Sequence, residues 1–380
     1  MPEILQWRNA PNQEAMVQQA AQALVDGQLV GFPTETIYGI AAAAWLPQAV
    51  ERLAASKGRQ EQKPIALAIR GPNDVPVLIP RLGKMGWRFA RRCMPGPITL
   101  VCDVPNEDEA SDGLLAASRR WVCPNGTLGL RAPAHEAILQ VLHLLPGPLV
   151  LTSANSSGET EATDADQVAG TFGDQLALII DDGPSPLGRA STVVRIQGES
   201  WKVLREGVLT AADLQALAVC MILFVCTGNT CRSPLAEALC KKMLAERLQC
   251  AVEELPGEGF LVRSAGLAAW PGAPATPEAV EMGRELGVDV GSHVSQPVTG
   301  ELVFQADYLV AMTEAHVQLL LARFSHDAPV PQLLCSGGGD LPDPIGCDLP
   351  VYRECAKALE EHLKSWVEKF QTGDCSWIPM

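Results

Sequence analysis

Apolar and polar positions alternate along this chain with two different periods, and the alternation predicts both helices and strands. Residues 14–26 have helical periodicity that stops at Gly27, and residues 351–370 form a longer amphipathic pattern. Short apolar runs at 29–32 and 65–69 are typical of buried strands. Because the two patterns follow one another along the whole length, we predict an α/β fold. A twisted mixed sheet is expected in the first half and a doubly wound parallel sheet in the second.

The length of 380 residues predicts two domains, and the pattern locates the boundary between them. Thr210 and Asp213 have the spacing of a helix capping box, which predicts a short helix that runs directly into the next apolar strand. We therefore predict one domain at residues 1–210, a short helical connector at 211–220 and a second domain at 221–380.

Composition narrows the classes of protein to which the chain can belong. Its content of 47% hydrophobic and 19% charged residues is typical of a soluble globular protein. The N-terminus lacks a basic segment followed by an apolar core, and the longest apolar run, residues 216–226, is too short to span a bilayer. Twelve scattered cysteines indicate reduced thiols, and no Cys/His spacing is typical of a metal site. We expect a cytoplasmic protein without a membrane partner, and we assign no residue as a metal ligand.

The net charge of −15 is concentrated in the second half. Residues 211–380 carry 11 basic and 22 acidic side chains, whereas residues 1–210 carry 18 and 22. An acidic surface repels the phosphate backbone of nucleic acids, so we expect no strong direct nucleic-acid binding.

The stretch MILFVCTGNTCRSP, residues 221–234, has the pattern of a strand, a tight polar loop and a helix start. Such a loop binds anions, because its amides point inward and the helix N-terminus adds a positive partial charge. Cys226 and Arg232 place a thiol and a guanidinium in this loop, six positions apart. The cation and the helix end favour the thiolate form of the cysteine. The pattern therefore predicts a nucleophile directed at phosphorus.

A cysteine nucleophile of this kind needs an acid to protonate the leaving group and a base to activate water. Asp343, in an Asp-Pro turn, is the candidate for both roles. Cys231 is close enough in sequence to trap Cys226 as a disulfide, although the sequence does not show whether the geometry allows it. The residues predicted to form or brace the loop are Thr227, Gly228, Asn229, Thr230, Cys231, Ser233, Ser264 and His293.

The motifs VCTGNTCRSP, RSAG, SHVS, DYLVAM and DPIG together resemble the low-molecular-weight phosphotyrosine phosphatase family. Within that family, the loop CTGNTCRS is most similar to the bacterial protein-arginine phosphatases, which carry threonine at the position of Thr230. The resemblance implies a phosphoprotein substrate, a phosphocysteine intermediate and no cofactor. Ile345 and Gly346 stand where family members often have tyrosines, so we favour phosphoarginine as the substrate. Phosphotyrosine, with Trp270 as one wall of the slot, is the alternative.

The first half combines cations with hydroxyl and amide side chains at the ends of predicted elements. Such a set suits an anionic ligand with several phosphates. The chain has no GxxxxGK[ST] and no GxGxxG pattern, so neither a P-loop nor a dinucleotide site is predicted. The residues of this set are Lys57, Arg59, Arg131 and Arg205, with Thr34, Ser153, Asn155 and Ser191.

The motifs FPTETIYG, SKGR, MPGPITLV, LGLRAPAH, TSANSSG, STVV and VLREG, within residues 15–210, resemble the threonylcarbamoyl-AMP synthase family. The resemblance implies that threonine, bicarbonate and ATP condense to threonylcarbamoyladenylate with release of pyrophosphate, aided by Mg²⁺. This is the first step of the threonylcarbamoyladenosine modification of tRNA, and the product passes to a downstream tRNA-threonylcarbamoyl transferase machinery.

The resemblance also implies roles for individual residues. Lys57 and Arg59 would hold phosphates and the threonine carboxylate, and Thr34 and Tyr38 would line the threonine side. The residues that would contact the nucleotide and its phosphates are Arg131, Ser153, Asn155, Ser191 and Arg205.

The leading hypothesis is therefore a bifunctional enzyme. The loop after Arg59 reads QEQKP, where the family usually has a proline straight after the arginine. This departure keeps a second hypothesis open. In that hypothesis the first domain binds a nucleotide or RNA without turnover, and the second senses phosphate or redox state through Cys226 and Cys231.

Overall fold

The chain divides into two compact units, Met1–Leu217 and Ala218–Met380, each with its own sheet. No helix in the described part of the chain is long and apolar enough to cross a membrane. The computed structural model describes residues 1–58, 63–104, 118–156, 159–324, 328–335 and 337–371.

A ten-stranded sheet forms the centre of the first unit, with the strand order β1-β8-β2-β3-β7-β4-β6-β5-β9-β10. Four of its neighbouring pairs are parallel and five are antiparallel. The prediction of a mixed sheet is confirmed. The strands are β1 Glu3–Gln6, β2 Val30–Phe32, β3 Gly39–Ala43, β4 Ala66–Ala68, β5 Ile98–Asp103, β6 Thr127–Arg131, β7 Leu149–Ser153, β8 Leu178–Asp181, β9 Thr192–Gln197 and β10 Ser200–Arg205.

Helices α1 and α6 pack their apolar faces against this sheet and close one core, in which Leu24 and Ile138 are fully buried with Phe32. Helix α1 ends where Gly27 adopts a φ of +74°, a backbone region that glycine enters without strain. The helices are α1 Gln13–Val25, α2 Pro47–Ser56, α3 Val75–Leu78, α4 Lys84–Cys93, α5 Arg119–Val122, α6 Glu136–Leu144, α7 Ala165–Phe172 and α8 Ala211–Ala218, with 3-10 turns at Pro72–Asp74 and Gly173–Gln175.

The capping box predicted at the end of the first unit is formed. The Thr210 amide donates to the Asp213 carboxylate at 2.8 Å, and the Asp213 amide donates to the Thr210 hydroxyl at 3.2 Å. Helix α8 begins directly after this box and leads without a further loop into the first strand of the second unit.

The second unit is built on four parallel strands in the order β12-β11-β13-β14. Its strands are β11 Cys220–Cys226, β12 Phe260–Gly266, β13 Tyr308–Ala311 and β14 Gln332–Leu333. Its helices are α9 Arg232–Leu248, α10 Pro277–Leu286, α11 Gly300–Gln305, α12 Glu314–Arg323 and α13 Leu349–Gln371, with a 3-10 turn at Val252–Glu254.

Alternate residues of β11 enter two separate cores, because successive side chains of a strand point to opposite faces of its sheet. Phe224 packs on one face with residues of α9, α10 and α13. Leu223 packs on the other with residues of α11 and α12. Helices therefore cover both faces, which confirms the predicted doubly wound arrangement. In such folds ligands bind beyond the C-terminal ends of the strands.

Trp366 anchors α13 to the sheet of the second unit. It is 1% exposed, its ring meets Tyr308 edge to face at 6.3 Å, and its indole N–H donates to the Leu334 carbonyl at 2.9 Å. We expect Trp366→Ala to lower the free energy of unfolding of this unit by about 3–5 kcal/mol. Calorimetry of the full chain measures the change.

The matched control is Trp270→Ala, because Trp270 belongs to the same unit and is 83% exposed. Its loss should change the free energy of unfolding by no more than about 0.5 kcal/mol. Equal destabilisation by both substitutions would contradict the role assigned to Trp366.

Candidate functional site

The loop that carries Cys226 and Arg232 joins the end of β11 to the start of α9, at the C-terminal edge of the parallel sheet. Cys226 is 2% exposed. The Leu267 amide donates to the Cys226 carbonyl at 2.9 Å and so ties the loop to the chain that follows β12. A side chain at Gly266 would lie 2.6 Å from the Thr227 carbonyl oxygen, so this close approach requires glycine.

Two donors contact the sulfur of Cys226. The hydroxyl of Ser233 lies 2.9 Å from it, and the backbone amide of Asn229 lies at 3.2 Å. Asn229 reaches this position with a φ of +56°, in the left-handed region that asparagine tolerates better than most residues. The sulfur therefore has one side-chain and one backbone partner.

The side chain of Asn229 connects the loop to its surroundings. Its Nδ2 donates to the hydroxyls of Ser233 and Ser264, each at 2.9 Å. Its Oδ1 accepts from the amide of Gln296 at 2.9 Å, and its carbonyl lies 2.8 Å from Nε2 of His293. Asn229 is fully buried. The predicted bracing residues Ser264 and His293 therefore do contact the loop residue Asn229.

The direction of these hydrogen bonds is set by Glu237, a residue that sequence reasoning missed. Its carboxylate can only accept, so the Ser264 hydroxyl donates to it, at 2.6 Å. Ser264 must then accept from Asn229, and Asn229 donates its other hydrogen to Ser233. The hydroxyl hydrogen of Ser233 is consequently left for Cys226. Glu237 lies five residues after Arg232 in the sequence, but no sequence rule links this spacing to a contact with the loop.

Arg232 is the cation of this site, and its side chain is only 4% exposed. Its Nη1 donates to the Leu341 carbonyl at 3.1 Å, and its Nη2 lies 3.4 Å from the Thr227 hydroxyl. Nη2 also forms an ion pair with Asp343, whose side chain is 39% exposed. The structure therefore brings together the three residues Cys226, Arg232 and Asp343 that the sequence singled out.

His316, in the first turn of α12, is a second residue that sequence reasoning missed. Its Nε2 lies 2.9 Å from the hydroxyl of Thr227, and the residue is 6% exposed. Burial, followed by the positive charge of Arg232, lowers the pKa of His316 below its ordinary value. The imidazole is therefore neutral at pH 7.

The sulfur of Cys231 is surrounded by hydroxyl groups. It lies 3.2 Å from the hydroxyl of Tyr352, 3.5 Å from that of Thr276 and 3.7 Å from that of Thr230. Burial raises the pKa of Tyr352, and its hydrogen bond to Cys231 adds to the shift. The cysteines of the described residues are free thiols.

In the first unit, a cavity of about 370 Å³ lies on one face of the sheet. Alternate residues of β5, β6 and β9 line it, as the period of two requires. The polar lining is formed by Thr34, Tyr38, Thr99, Thr127, Arg131, Thr152, Ser153, Ser191, Arg195 and Arg205.

Arg131 is held at the wall of this cavity by Glu35, another residue that sequence reasoning missed although it lies inside the motif PTET. Its Nη2 donates to Glu35 at 2.9 Å, to Thr36 at 2.6 Å and to Thr34 at 3.3 Å. The Nε of Arg131 is buried without a hydrogen-bond partner among the described residues. The second carboxylate oxygen of Glu35 accepts from the Ala134 amide at 2.9 Å.

Arg205 lies on the same wall and donates to the carbonyl of Ser191 at 2.8 Å. The Ser191 hydroxyl lies 3.0 Å from that of Thr99. Burial lowers the pKa of Arg205; Glu161 opposes the shift and the positive charge of Arg131 adds to it. A guanidinium whose charge is disfavoured by a neighbouring arginine indicates a site that would gain from an anion.

Lys57 and the TSAN segment form a separate cluster beside the cavity. The ammonium of Lys57 donates to the carbonyls of Ser153, at 2.8 Å, and Asn155. The Ser153 hydroxyl donates to the side-chain oxygen of Asn155 at 2.6 Å. Ser153 lines the cavity, so this cluster touches its edge. The predicted residue Arg59 lies outside the described residues.

Thr34 and Tyr38 use their hydroxyls within the fold. That of Thr34 donates to the Ile37 carbonyl at 2.6 Å, and that of Tyr38 donates to the Gly183 carbonyl at 2.8 Å. Burial raises the pKa of Tyr38. Both residues line the cavity, so they shape its wall, but their hydroxyl hydrogens are already donated to backbone carbonyls of the protein.

Arg195 also lines the cavity. It had no sequence signal beyond its charge.

Each of the two units matches a known protein family. Residues 22–207 match the Sua5/YciO/YrdC model, described as telomere recombination, and residues 221–374 match the low molecular weight phosphotyrosine protein phosphatase model. The first part is 33% identical over 190 residues to a putative threonylcarbamoyl-AMP synthase of Mycobacterium tuberculosis, covering 50% of this chain and 82% of the relative. The second is 38% identical over 154 residues to a protein-arginine-phosphatase of Bacillus subtilis, covering 40% and 96%. The chain belongs to both families.

Other relatives of the two families extend this result. The chain spans 57% of the length of the Pyrococcus abyssi threonylcarbamoyl-AMP synthase, to which it is 32% identical over 203 residues, or 53% of this chain. The crystal structure of P. abyssi Sua5 with L-threonine is 23% identical, has a TM-score of 0.51 and is matched over 70% of this chain and 92% of that chain, which shows a likeness of fold. A probable low molecular weight protein-tyrosine-phosphatase of Ralstonia nicotianae is 33% identical over 153 residues, covering 40% of this chain and 95% of the relative.

Two substitutions separate the backbone and side-chain roles of Asn229 in the phosphatase-family domain. Asn229→Gly keeps the positive φ and removes the amide, so we expect the free energy of unfolding to fall by about 2–4 kcal/mol, roughly 1 kcal/mol for each lost hydrogen bond. Asn229→Ala also forces a methyl group into the left-handed region, which costs about 1 kcal/mol more. Urea unfolding measures both. An alanine variant at least as stable as the glycine variant would show that the backbone is not constrained.

Proposed function

We propose that the chain is a bifunctional enzyme. Its Sua5/YrdC domain condenses threonine, bicarbonate and ATP to threonylcarbamoyladenylate and pyrophosphate, the first step of the tRNA modification. The product would pass to a tRNA-threonylcarbamoyl transferase. Its phosphatase-family domain hydrolyses a phosphorylated side chain of a protein through a phosphocysteine. The relatives of each domain, a putative threonylcarbamoyl-AMP synthase and a protein-arginine-phosphatase, support these two reaction classes.

The synthase proposal rests on the positive charge of the cavity lining. Arg131, Arg195 and Arg205 line it together with hydroxyl groups. Guanidinium groups bind phosphate oxygens in pairs, so this wall suits a triphosphate. Threonine would occupy the side of Thr34 and Tyr38; the P. abyssi relative is a protein that binds L-threonine.

Mg²⁺ is the cofactor that the family resemblance implies, and the described lining fits it poorly. The lining residues offer hydroxyl and carbonyl oxygens but no carboxylate, whereas protein-bound Mg²⁺ is usually held by one or two carboxylates as well as by phosphates. The nearest acidic residue to Arg131, Glu35, is already paired with it. We therefore derive no step of the reaction from a protein-bound metal.

The synthase reaction needs positioning and charge stabilisation from these residues. The amine of threonine and bicarbonate first form a carbamate with loss of water. A carbamate oxygen then attacks the α-phosphorus of ATP, and the bond to the pyrophosphate oxygen breaks. Negative charge then grows on the leaving pyrophosphate. Arg131 and Arg205, fixed by Glu35 and Ser191, need not reorganise to stabilise that charge.

The observation that carries the phosphatase proposal is the buried Cys226 sulfur with two donors, beside the Arg232–Asp343 pair. Cys226 attacks phosphorus while Arg232 turns from Asp343 to the phosphoryl oxygens. Asp343, released from that pair, takes up a proton from solvent and donates it to the leaving nitrogen or oxygen as the P–N or P–O bond breaks. It then takes a proton from the water that hydrolyses the phosphocysteine.

Phosphoarginine is the proposed substrate, and Thr230 is the residue that would select it. Thr230 is half-buried at the loop and its hydroxyl faces the sulfur of Cys231. A small polar side chain at this position narrows the site less than a bulky aliphatic one and can hydrogen-bond a guanidinium. Trp270 is exposed rather than packed over the loop.

Turnover of phosphoarginine and phosphotyrosine peptides, measured side by side in reducing buffer with Cys226→Ser as the blank, tests the phosphatase proposal. We expect preference for phosphoarginine and a shift towards phosphotyrosine in Thr230→Ile. Preference for phosphotyrosine in the unchanged protein would reject the substrate assignment. No turnover of either peptide would favour a phosphate or redox sensor.

Pyrophosphate release tests the synthase proposal. We expect release only when threonine, bicarbonate and ATP are all present. Arg205→Ala should slow it by about 10- to 100-fold, because a hydrogen bond to a charged group contributes about 1.5–3 kcal/mol. The matched control is Lys202→Ala, an exposed cation on the same strand β10, which should retain the original rate. Release without threonine, or nucleotide binding without release, would contradict the proposal.

A further inference from the structure

His316 has a contact that the phosphatase mechanism above does not use. Its Nε2 lies 2.9 Å from the Thr227 hydroxyl, inside the loop that is proposed to hold the phosphoryl group. Its Nδ1 is buried and has no hydrogen-bond partner among the residues the structure describes. Within the described part of the chain, the ring therefore hydrogen-bonds the anion-binding loop through Nε2 and has no partner at Nδ1.

This arrangement selects one tautomer of the neutral ring. If the hydrogen were on Nδ1, a buried donor would be left unsatisfied, which is rarer and costlier than an unsatisfied acceptor. With the hydrogen on Nε2, the ring donates to Thr227 instead. The Thr227 oxygen also faces Nη2 of Arg232 at 3.4 Å, so it accepts from both sides. Its own hydrogen is then free to point at a bound oxyanion.

Charged groups from several elements face His316. Arg232, at the start of α9, disfavours the imidazolium, whereas Asp343 and Asp340 from the loop before α13 favour it. Asp340 also accepts from the amide of Glu314, at the start of α12, at 2.7 Å. Without a ligand, burial and Arg232 prevail over the two carboxylates, and the ring is neutral. An anion on Arg232 would reverse that balance.

We propose that His316 is a positioning residue of the phosphatase site that orients the Thr227 hydroxyl towards the bound phosphoryl group and couples the affinity for that group to pH. The neutral ring fixes the direction of the hydroxyl. When an anion binds beside Arg232, its charge offsets that of the guanidinium, and a proton on His316 becomes more favourable. Linkage requires the reverse effect as well, so protonation of His316 strengthens anion binding.

The sign of the pH dependence follows from this linkage. Anion affinity should rise as the pH falls through the pKa of His316, which lies below the ordinary histidine value of about 6.5. The proposal rests on the proposed function, because it takes the loop to be an oxyanion site. Its test measures binding rather than turnover, so failure of phosphopeptide hydrolysis and failure of the coupling give different results.

Sulfate is the probe, because it stays a dianion across the range from pH 5.0 to pH 7.5. We expect the dissociation constant of sulfate, measured by calorimetry on the full chain, to fall with decreasing pH about five- to tenfold more in the unchanged protein than in His316→Gln. Glutamine keeps a donor for Thr227 but cannot be protonated. His362→Gln, a change of the same kind on α13, is the matched control and should behave like the unchanged protein.

Two further measurements separate positioning from a merely structural role. Thr227→Val removes the hydroxyl that His316 orients and should weaken sulfate binding at every pH, whereas the pH coupling, which acts through the charges of Arg232 and the anion, should persist. Long-range ¹H–¹⁵N spectra, in which the His316 signals are identified by their loss in His316→Gln, should show the hydrogen on Nε2 at pH 7.5. An Nδ1–H tautomer, or the same pH dependence of sulfate binding in His316→Gln as in the unchanged protein, would overturn the proposal.

Discussion

The amide side chain of Asn229 is the constraint on which the Cys226 site of the second unit depends. It has two donor hydrogens and an acceptor oxygen, and all three form hydrogen bonds within the fold. An amide with every position engaged cannot flip, so Ser233 can only accept from it. The hydroxyl hydrogen of Ser233 is thereby directed to Cys226. Glu237, at the other end of the chain of hydrogen bonds, makes the direction unambiguous because a carboxylate has no hydrogen to give.

The first unit holds its charged groups by a different means. Arg131 is buried, and a buried guanidinium is costly unless it is paired. Glu35 supplies the pair, and the hydroxyls of Thr34 and Thr36 complete the contacts of Nη2. The result is a cation with a fixed position, and its positive charge disfavours the charged form of the neighbouring Arg205. A substrate phosphate would offset that charge.

Both proposed sites must bind an anion in a net-acidic chain, and they are built in two different ways. The second uses a loop of backbone amides, a helix N-terminus and one buried arginine at the end of a parallel sheet. The first spreads several arginines over one face of a mixed sheet and relies on alternation along β5, β6 and β9 to bring them into one cavity. Local potential at each site, rather than net charge, decides what binds.

The sequence by itself determined the order of elements, the α/β class of both units, and the identity of Cys226, Arg232 and Asp343 as chemistry-bearing residues. These follow from periodicity and from short spacings, which are local properties of the chain. Only the tertiary structure decided which residues contact and orient the functional side chains of the two sites. Glu237, His316 and Glu35 act through partners that are 27, 89 and 96 positions away. No local pattern encodes such pairings, because the packing of separate helices and strands creates them.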